Sequence, residues 1–156
     1  MVRLKNRYIV IEINPEAPHR AANTLQPLKI NENTLNSQIL DTVQQLHGDF
    51  GSAAVRSGFR AKYCNELTHI AIVRCRQGPH KLVTSVLPFV TLIDSHKVIC
   101  NTLYIGATMR NCFNFVRLYQ QRKCDEYCTN LKTEEELQCV RNALVDLKAI
   151  LNAIGN

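Results

Sequence analysis

The feature that most constrains the fold is the order in which two hydrophobic periods alternate along the chain. Residues 7–13 place isoleucine at every second position, which is typical of a strand. Residues 33–47 then change to the spacing of a helix face, and Gly48 supplies a stop. Residues 55–63 and 68–75 alternate again and predict a hairpin. The order is therefore strand, helix, strand, strand.

A second helix and a fourth strand complete the pattern. Pro79 suits the first turn of a helix, which Pro88 kinks or ends, and residues 97–105 predict a strand. The resulting βαββαβ order predicts an α+β, ferredoxin-like (RRM-like) fold with an antiparallel sheet, an arrangement used by many RNA-recognition domains. Two additional C-terminal helices are expected, one over residues 108–123 and one that opens at Thr133.

The chain has 156 residues, the length of a single domain. We expect that domain over residues 1–123, with a long loop over 14–32 that holds three of the five prolines. Residues 124–156 predict a separate helix whose apolar residues recur at steps of three and four, as in a heptad seam. Either this seam packs on its own domain or it binds a partner protein, helix against helix. The seam residues are Leu137, Val140, Leu144, Leu147, Leu151 and Ile154.

Membrane insertion, export and metal binding are not expected. The apolar runs are far shorter than the ~20 residues of a membrane span, and the basic N-terminus does not resemble a secretory signal. The seven cysteines are an odd number and are predicted to be thiols. Cys124 and Cys128 lack the further ligands that a structural zinc site needs.

Charge is unevenly distributed along the chain. Residues 1–123 hold 16 Lys and Arg against 7 acids, a net charge of +9, whereas residues 124–156 carry −3. A body this basic suggests a polyanionic partner, because cations that neutralise phosphates release condensed counterions. A basic solvated surface is the simpler explanation of the charge alone.

The strand predicted over residues 55–63 is the most informative segment. Alternation would place Arg56, Arg60 and Lys62 together on one face, opposite an apolar face. Like charges on one strand face repel each other, so we predict that they contact phosphate; an ordinary solvent face is the alternative. Cations stand where an RNP-type strand would have stacking aromatics, which favours contact with the nucleic-acid backbone over base recognition.

A second candidate anion site lies at the start of the helix over residues 108–123. Gly106 is a flexible glycine, Thr108 is a cap, and Arg110 is a cation at the positive end of a helix, where it is unfavourable unless an anion binds. A polar stripe continues along that helix through Asn114, Arg117 and Gln121. A weaker cluster around Pro79 consists of Arg74, Arg76, His80 and Lys81.

Catalytic functions fit the sequence poorly. The carboxylates are scattered, and no paired-acid, Ser-His-Asp or HxxxH spacing appears. A small hydrolase or ligand-binding domain on the same scaffold stays an alternative, since fold alone does not define function. Residues 14–20 lack the glycines that an acylphosphatase-type loop would need after the first strand. A protein-protein adaptor that acts through the C-terminal helix is a further alternative.

Several short motifs occur in one order across residues 1–123. They are Met1-Val2-Arg3-Leu4-Lys5-Asn6-Arg7-Tyr8, His47-Gly48-Asp49-Phe50-Gly51, Gly58-Phe59, Tyr63, Arg74-Cys75-Arg76, Leu87-Pro88-Phe89, and Asn101-Thr102-Leu103 through Gly106, Thr108, Arg110 and Cys112. This combination resembles the eukaryotic Pop-five family of ribonuclease P and RNase MRP subunits, related to protein component two of archaeal RNase P. Residues 124–156 depart from it, because members end in an acidic tail.

The resemblance implies a non-catalytic RNA-binding subunit that supports the fold of a catalytic RNA. That RNA removes the 5′ leader of precursor tRNA in RNase P, and RNase MRP processes precursor rRNA. It also implies a TIM-barrel-like Rpp-thirty partner and other RNase P/MRP proteins, a nuclear and nucleolar location, and Mg²⁺ held by the RNA with no cofactor on the protein. The expected RNA-contacting residues are Arg3, Lys5, Arg7, Arg56, Arg60, Lys62, Gly106, Thr108, Arg110 and Arg117.

Overall fold

The computed structural model describes residues 5–16, 29–66 and 68–130, with the backbone alone for residues 124 and 127–130. Strands and helices alternate as the periodicity predicts, with a 3₁₀ turn at Leu87–Phe89 after the second helix. The elements are β1 (Asn6–Pro15), α1 (Glu32–Arg56), β2 (Arg60–Asn65), β3 (Ile70–Arg76), α2 (His80–Val86), β4 (Leu92–Ile93), β5 (His96–Gly106) and α3 (Met109–Asn130).

The strands form a five-stranded sheet in the order β2-β3-β1-β5-β4, and every pairing is antiparallel. With α1 and α2 between its strands, the four-strand part β2-β3-β1-β5 is ferredoxin-like, which confirms the predicted α+β fold. The short strand β4 was not predicted. It pairs with the start of β5 and so adds an edge to the sheet.

The hydrophobic core lies between one face of the sheet and the helices α1 and α2. Ile9, Ile11 and Ile13 of β1 enter this core together with Val43 of α1 and Val83 of α2, as the alternation predicts. The other face of the central strand is buried as well: Val10 is fully buried and Glu12 is 8% exposed. β1 is therefore covered on both faces.

The first helical segment of α1 ends at Gly48, as the sequence predicts, but a second segment that the sequence does not predict follows it. Gly48 has φ +64°, a left-handed conformation that favours glycine, and the chain turns there and resumes a helix to Arg56. Gly51 then lies so close to His47 that an added Cβ would be 2.3 Å from the Cβ of His47. The predicted stop is thus a kink, and beyond it Phe50 is 85% exposed.

The strand predicted over residues 55–63 is wrong in extent and in phase. Arg56 is the last residue of α1, and β2 begins only at Arg60. The pairing of β2 with β3 is shifted between Ala61 and Tyr63, so these two residues lie on opposite faces instead of one. A bulge of this kind inserts one unpaired residue and breaks the period-two alternation that the prediction assumed.

The other predicted boundaries are confirmed to within two residues, except that α3 continues past residue 123 to Asn130. α2 begins directly after Pro79, and Pro88 lies in the 3₁₀ turn that ends it. Thr108 caps α3, since its Oγ1 accepts a hydrogen bond of 3.3 Å from the backbone N–H of Asn111. A side-chain contact connects α1 and α2, since Nε2 of His47 lies 3.0 Å from Oγ of Ser85.

The chain divides into two compact units, Met1–Cys112 and Phe113–Asn156, with the boundary inside α3. Most of the predicted loop, the helix that opens at Thr133 and the heptad seam lie outside the described residues. Within the described ranges, none of the helices has the length and apolarity needed to cross a membrane.

Candidate nucleic-acid interface

Cationic side chains converge on one end of the sheet. Because β1, β2, β3 and β5 pair antiparallel, the starts of β1 and β2 and the ends of β3 and β5 meet there. α1 ends at this edge, and α2 and α3 begin at it, since short connections join them to those strand ends. Eight cations thus form a set that we term the basic end: Lys5, Arg7, Arg56, Arg60, Arg74, Arg76, Lys81 and Arg110.

The register of the sheet aligns part of the basic end in a single row. Arg60 of β2 pairs with Arg74 of β3, and Arg74 pairs with Tyr8 of β1. Tyr8 in turn pairs with Gly106 of β5. Paired residues of an antiparallel sheet point to the same face, and this is the face opposite the hydrophobic core. Two arginines therefore stand directly opposite each other on neighbouring strands.

The side chains around this pair are unusual in two respects. The Nε of Arg74 is buried and has no hydrogen-bond partner. Arg76 lies two residues further along the same strand, on the same face. Its side chain passes directly over Gly58, because a Cβ added to Gly58 would be 2.6 Å from Cγ and 3.1 Å from Nε of Arg76. Guanidinium N–H donors arranged in this way suit a carboxylate or phosphate acceptor.

The helix termini at this end add further positive charge. Neither α2 nor α3 has an acidic residue in its first turn, and these turns hold Lys81 and Arg110. Cations at helix N-termini are unfavourable in the absence of an anion. Arg56 differs, because it lies in the last turn of α1, where the helix dipole favours a cation without any ligand.

The pKa of His80 is sensitive to the positive charge at the basic end. Burial lowers the pKa of His80 below its usual 6.5, and the nearby charges of Arg7 and Lys81 lower this pKa further. The backbone N–H of Gly78 donates a hydrogen bond of 3.1 Å to Nδ1 of His80. That nitrogen is therefore an unprotonated acceptor in the neutral ring.

The structure separates residues that the sequence groups together. Arg60 joins the row described above, Arg56 lies on a helix, and Lys62 is exposed beside the bulge of β2. The prediction that these three cations share one strand face is therefore wrong. Lys5 is exposed next to β1, and its carbonyl accepts a hydrogen bond of 2.8 Å from the N–H of Gln77. Arg3 is outside the described residues.

The glycine at the end of β5 is explained by packing. An added Cβ at Gly106 would be 2.7 Å from Sγ of Cys112 and 3.0 Å from Cε1 of Tyr104. The same Cys112 thiol donates to the carbonyl of Tyr8 at 3.6 Å. Gly106 thus allows the start of α3 to approach the start of β1 and the end of β5, next to the arginine row.

The stripe predicted along α3 is an exposed helix face. Arg110, Asn114, Arg117 and Gln121 are all exposed, whereas Cys112, Phe113 and Val116 of the same helix are buried. Arg117 belongs to the second compact unit and is not part of the basic end. Contact of Gly106, Thr108, Arg110 and Arg117 with RNA stays a prediction.

The opposite end of the sheet carries more acids than cations. Its termini carry four acids and two lysines, a set that we term the acidic end: Glu16, Glu32, Glu66, Asp94, Lys29 and Lys97. The other described acids of the first unit lie along β1 and α1, away from the termini that form the basic end. The topology thus separates the eight cations of the basic end from the four acids of the acidic end.

Cysteine chemistry does not contribute to this surface. Cys64, Cys75, Cys100 and Cys112 are free thiols, and burial raises the pKa of Cys100 to about 12 and those of the other three to about 11. These thiols are therefore protonated at neutral pH. Among the residues that the structure describes, no three His, Cys, Asp or Glu side chains form a group suited to a metal ion.

Sequence reasoning missed the pairing of Arg74 with Arg60. Arg74 and Arg76 are noticeable as an alternating Arg-x-Arg at the end of a strand, but the sequence ties them to the following helix instead of to a partner strand. The only available signal was the hairpin itself, which brings the start of β2 beside the end of β3.

Known proteins resemble this chain in sequence over most of its length. Residues 7–117 match the model of the Rpp14/Pop5 family. Ribonuclease P/MRP protein subunit POP5 of Homo sapiens is 34% identical over 148 residues, which cover 92% of this chain and 87% of the human protein. The Danio rerio protein of the same name is 33% identical over 161 residues, which cover 99% of this chain and 90% of that protein.

The fold has a counterpart in a solved structure. A chain in the cryo-EM structure of yeast ribonuclease MRP matches with a TM-score of 0.51 at 11% identity, over 80% of this chain and 98% of that chain. At this identity the similarity concerns the fold alone. The protein is thus a ferredoxin-like α+β domain with a strongly cationic sheet end. It belongs to the Rpp14/Pop5 family, which confirms the family that the motifs indicate.

Proposed function

We propose that this chain is a non-catalytic, RNA-binding protein subunit of ribonuclease P and RNase MRP, with its basic end against the catalytic RNA. Membership of the Rpp14/Pop5 family supports the proposal, as do the relatives named ribonuclease P/MRP protein subunits. The observation that carries the RNA-binding part is the convergence of eight cations at one end of the sheet, where Arg60 directly opposes Arg74.

Contact with the phosphate backbone fits this surface better than base recognition. RRM domains stack bases on aromatic side chains in the middle of the sheet. Here Val10 and Ile72 hold the central positions on the face opposite the core, and both are fully buried. Their paired neighbours on that face are Tyr104, which is half-buried, and Tyr63, which is buried. The charged groups of the basic end are guanidinium and ammonium. Such groups bind phosphates with little dependence on sequence, which suits a protein that supports an RNA fold.

In this proposal the RNA supplies the chemistry. It holds the Mg²⁺ ions, removes the 5′ leader of precursor tRNA in RNase P, and acts on precursor rRNA in RNase MRP. Among the acids that the structure describes, Glu12 is buried within the sheet, and four others lie at the acidic end, away from the proposed RNA-binding surface. The task of the protein is to neutralise and position phosphates of the folded RNA.

The proposal also includes protein partners and a cellular location. We expect pairing with a TIM-barrel-like Rpp-thirty subunit, association with other RNase P/MRP proteins, and residence in the nucleus and nucleolus. The heptad seam of residues 137–154 is the candidate partner surface. Deletion of residues 130–156 should abolish assembly with protein partners if the seam is that surface. Intact assembly after the deletion would exclude the seam.

The experiment that tests RNA binding compares the two ends of the sheet. R60Q/R74Q removes two cations from the basic end, and K29Q/K97Q removes two from the acidic end as a matched control. Affinity for transcribed RNase P RNA is measured at several salt concentrations. The slope of log K against log salt should fall for R60Q/R74Q by about 0.7 to 0.9 for each phosphate contact that is lost, and should not change for the control.

Two results would contradict the proposal. Unchanged affinity and slope in R60Q/R74Q would exclude the basic end as the RNA-facing surface. Substrate turnover by the purified protein without RNA would favour the hydrolase alternative. Purification of the tagged protein in mild salt, followed by sequencing of the bound RNA and an assay of 5′ leader cleavage, tests the assignment to RNase P and RNase MRP.

A further inference from the structure

The facing pair Arg60 and Arg74 is costly for a sheet that has no ligand. Directly opposite residues on antiparallel strands have Cβ atoms roughly 4.5 to 5.5 Å apart, and like charges at that distance destabilise the pairing. The buried Nε of Arg74 has no hydrogen-bond partner, and an unsatisfied buried donor of a charged group adds a further cost. The repulsion is relieved if an anion accepts hydrogen bonds from the accessible parts of these guanidinium groups, and the nearby negative charge also favours the buried Nε–H dipole of Arg74.

A third arginine completes the surroundings of this position. Arg76 shares the face of Arg74 at the next outward position of β3. Its side chain is positioned across Gly58, where the absence of a side chain leaves room for it. The connection between α1 and β2 and the end of β3 thus bring three guanidinium groups to one corner of the sheet. The row continues to Tyr8, which is half-buried and uncharged.

We propose that Arg60, Arg74 and Arg76 form a discrete site for one phosphate group, with the guanidinium of Arg74 between the other two. The inference rests on the proposed function, since it takes the phosphate to be one of the RNA backbone. It goes further by distinguishing one specific site from the general attraction of the basic end. A guanidinium donates two parallel hydrogen bonds to a phosphate, whereas a lysine ammonium acts as a point charge.

This difference between arginine and lysine makes the site testable without a change of net charge. R74K retains the cation and removes the planar guanidinium with its paired N–H donors. R56K is the matched control, because Arg56 is another arginine of the basic end but belongs to α1 and not to the row. We expect R74K to weaken binding of RNase P RNA about tenfold, as for the loss of hydrogen bonds to a charged group, with a salt slope near that of the wild type. R56K should bind as the wild type does.

A second variant and a second measurement make the test independent of any effect of R74K on folding. G58A keeps every charge but places a Cβ against Arg76, so it should weaken RNA binding severalfold. In the unaltered protein, titration with inorganic phosphate should shift the Nε–Hε NMR signal of Arg74 in a saturable way. Addition of RNase P RNA should then displace the phosphate.

The site and the broader function fail in different ways. If R74K and G58A bind RNA as tightly as the wild type, or if phosphate leaves the Arg74 signal unchanged, the discrete site is wrong. The proposed function would still stand if R60Q/R74Q lowers the salt slope. A phosphate shift that RNA does not reverse would mark an adventitious ion only and would likewise overturn the site.

Discussion

The two ends of the sheet differ in charge although they are built from the same strands. The basic end gathers eight cations, whereas the acidic end has four acids and two lysines. Each strand of the antiparallel core contributes one terminus to each end, so a chain with mixed charges along its length becomes a domain with two unlike poles. The net charge of +6 therefore understates the potential at one pole.

Charge reversal is expected to have the largest effect on this difference. R60E/R74E would place two carboxylates where phosphate is proposed to bind. Like-charge contacts cost several kcal/mol, so affinity for RNase P RNA should fall at least ~100-fold. The converse change at the acidic end, E16K/E66K, should leave the specific complex intact. Equal loss in both variants, measured by filter binding, would remove the distinction between the ends.

The packing at Gly106 should have the next largest effect, here on stability. G106A forces a Cβ toward Sγ of Cys112 and the ring of Tyr104, and such overpacking typically costs about 1 to 3 kcal/mol. Thermal or urea unfolding measures this loss. Addition of C112A to G106A should recover part of it, because the thiol is the closest obstacle. The absence of such coupling between the two positions would contradict the packing explanation.

Removal of a cation outside the arginine row should have a smaller effect. R56Q deletes a charge that the C-terminal dipole of α1 already favours. We expect the salt slope of RNA binding to fall by about one unit or less and the free energy of unfolding to fall by about 0.3 to 1 kcal/mol. If R56Q weakens RNA binding as strongly as R60Q alone does, the row has no special status within the basic end.

The smallest expected effect is on the titration of His80. Because burial, Arg7 and Lys81 lower its pKa below 6.5, the unfolded chain binds more protons than the folded protein between the folded pKa and 6.5. Stability should therefore rise with pH across this window and decline as pH falls through it. R7Q should raise the pKa of His80, and bound RNA should raise it as well. An unchanged NMR titration curve in R7Q would exclude Arg7 as a contributor.

Much of the fold is predictable because periodicity is a local property. Alternating isoleucines predict β1, and Pro79 and Pro88 bracket α2 closely. The stop at Gly48 is present, but the helical segment that follows it to Arg56 was not predicted. Gly51 of that segment packs closely against His47, a contact across the kink that local periodicity does not reveal.

The candidate site was less predictable than the fold. The cations of β2 and α3 are visible in the sequence, but the grouping of Arg56, Arg60 and Lys62 was wrong because a bulge and a longer helix changed the phase of the strand. Arg74 gains its importance only from the residue that it faces across the hairpin.

The sequence by itself determined the family, the order of the main elements, the uneven distribution of charge along the chain and most residues of the core. These follow from motifs, local periodicity and composition, which need no knowledge of distant contacts. Only the tertiary structure decided three features: Arg60 pairs with Arg74, the side chain of Arg76 packs over Gly58, and the side chain of Tyr63 lies on the sheet face opposite the core. Strand register and bulges depend on hydrogen bonds between separate segments, and a shift of one residue exchanges the two faces of a strand.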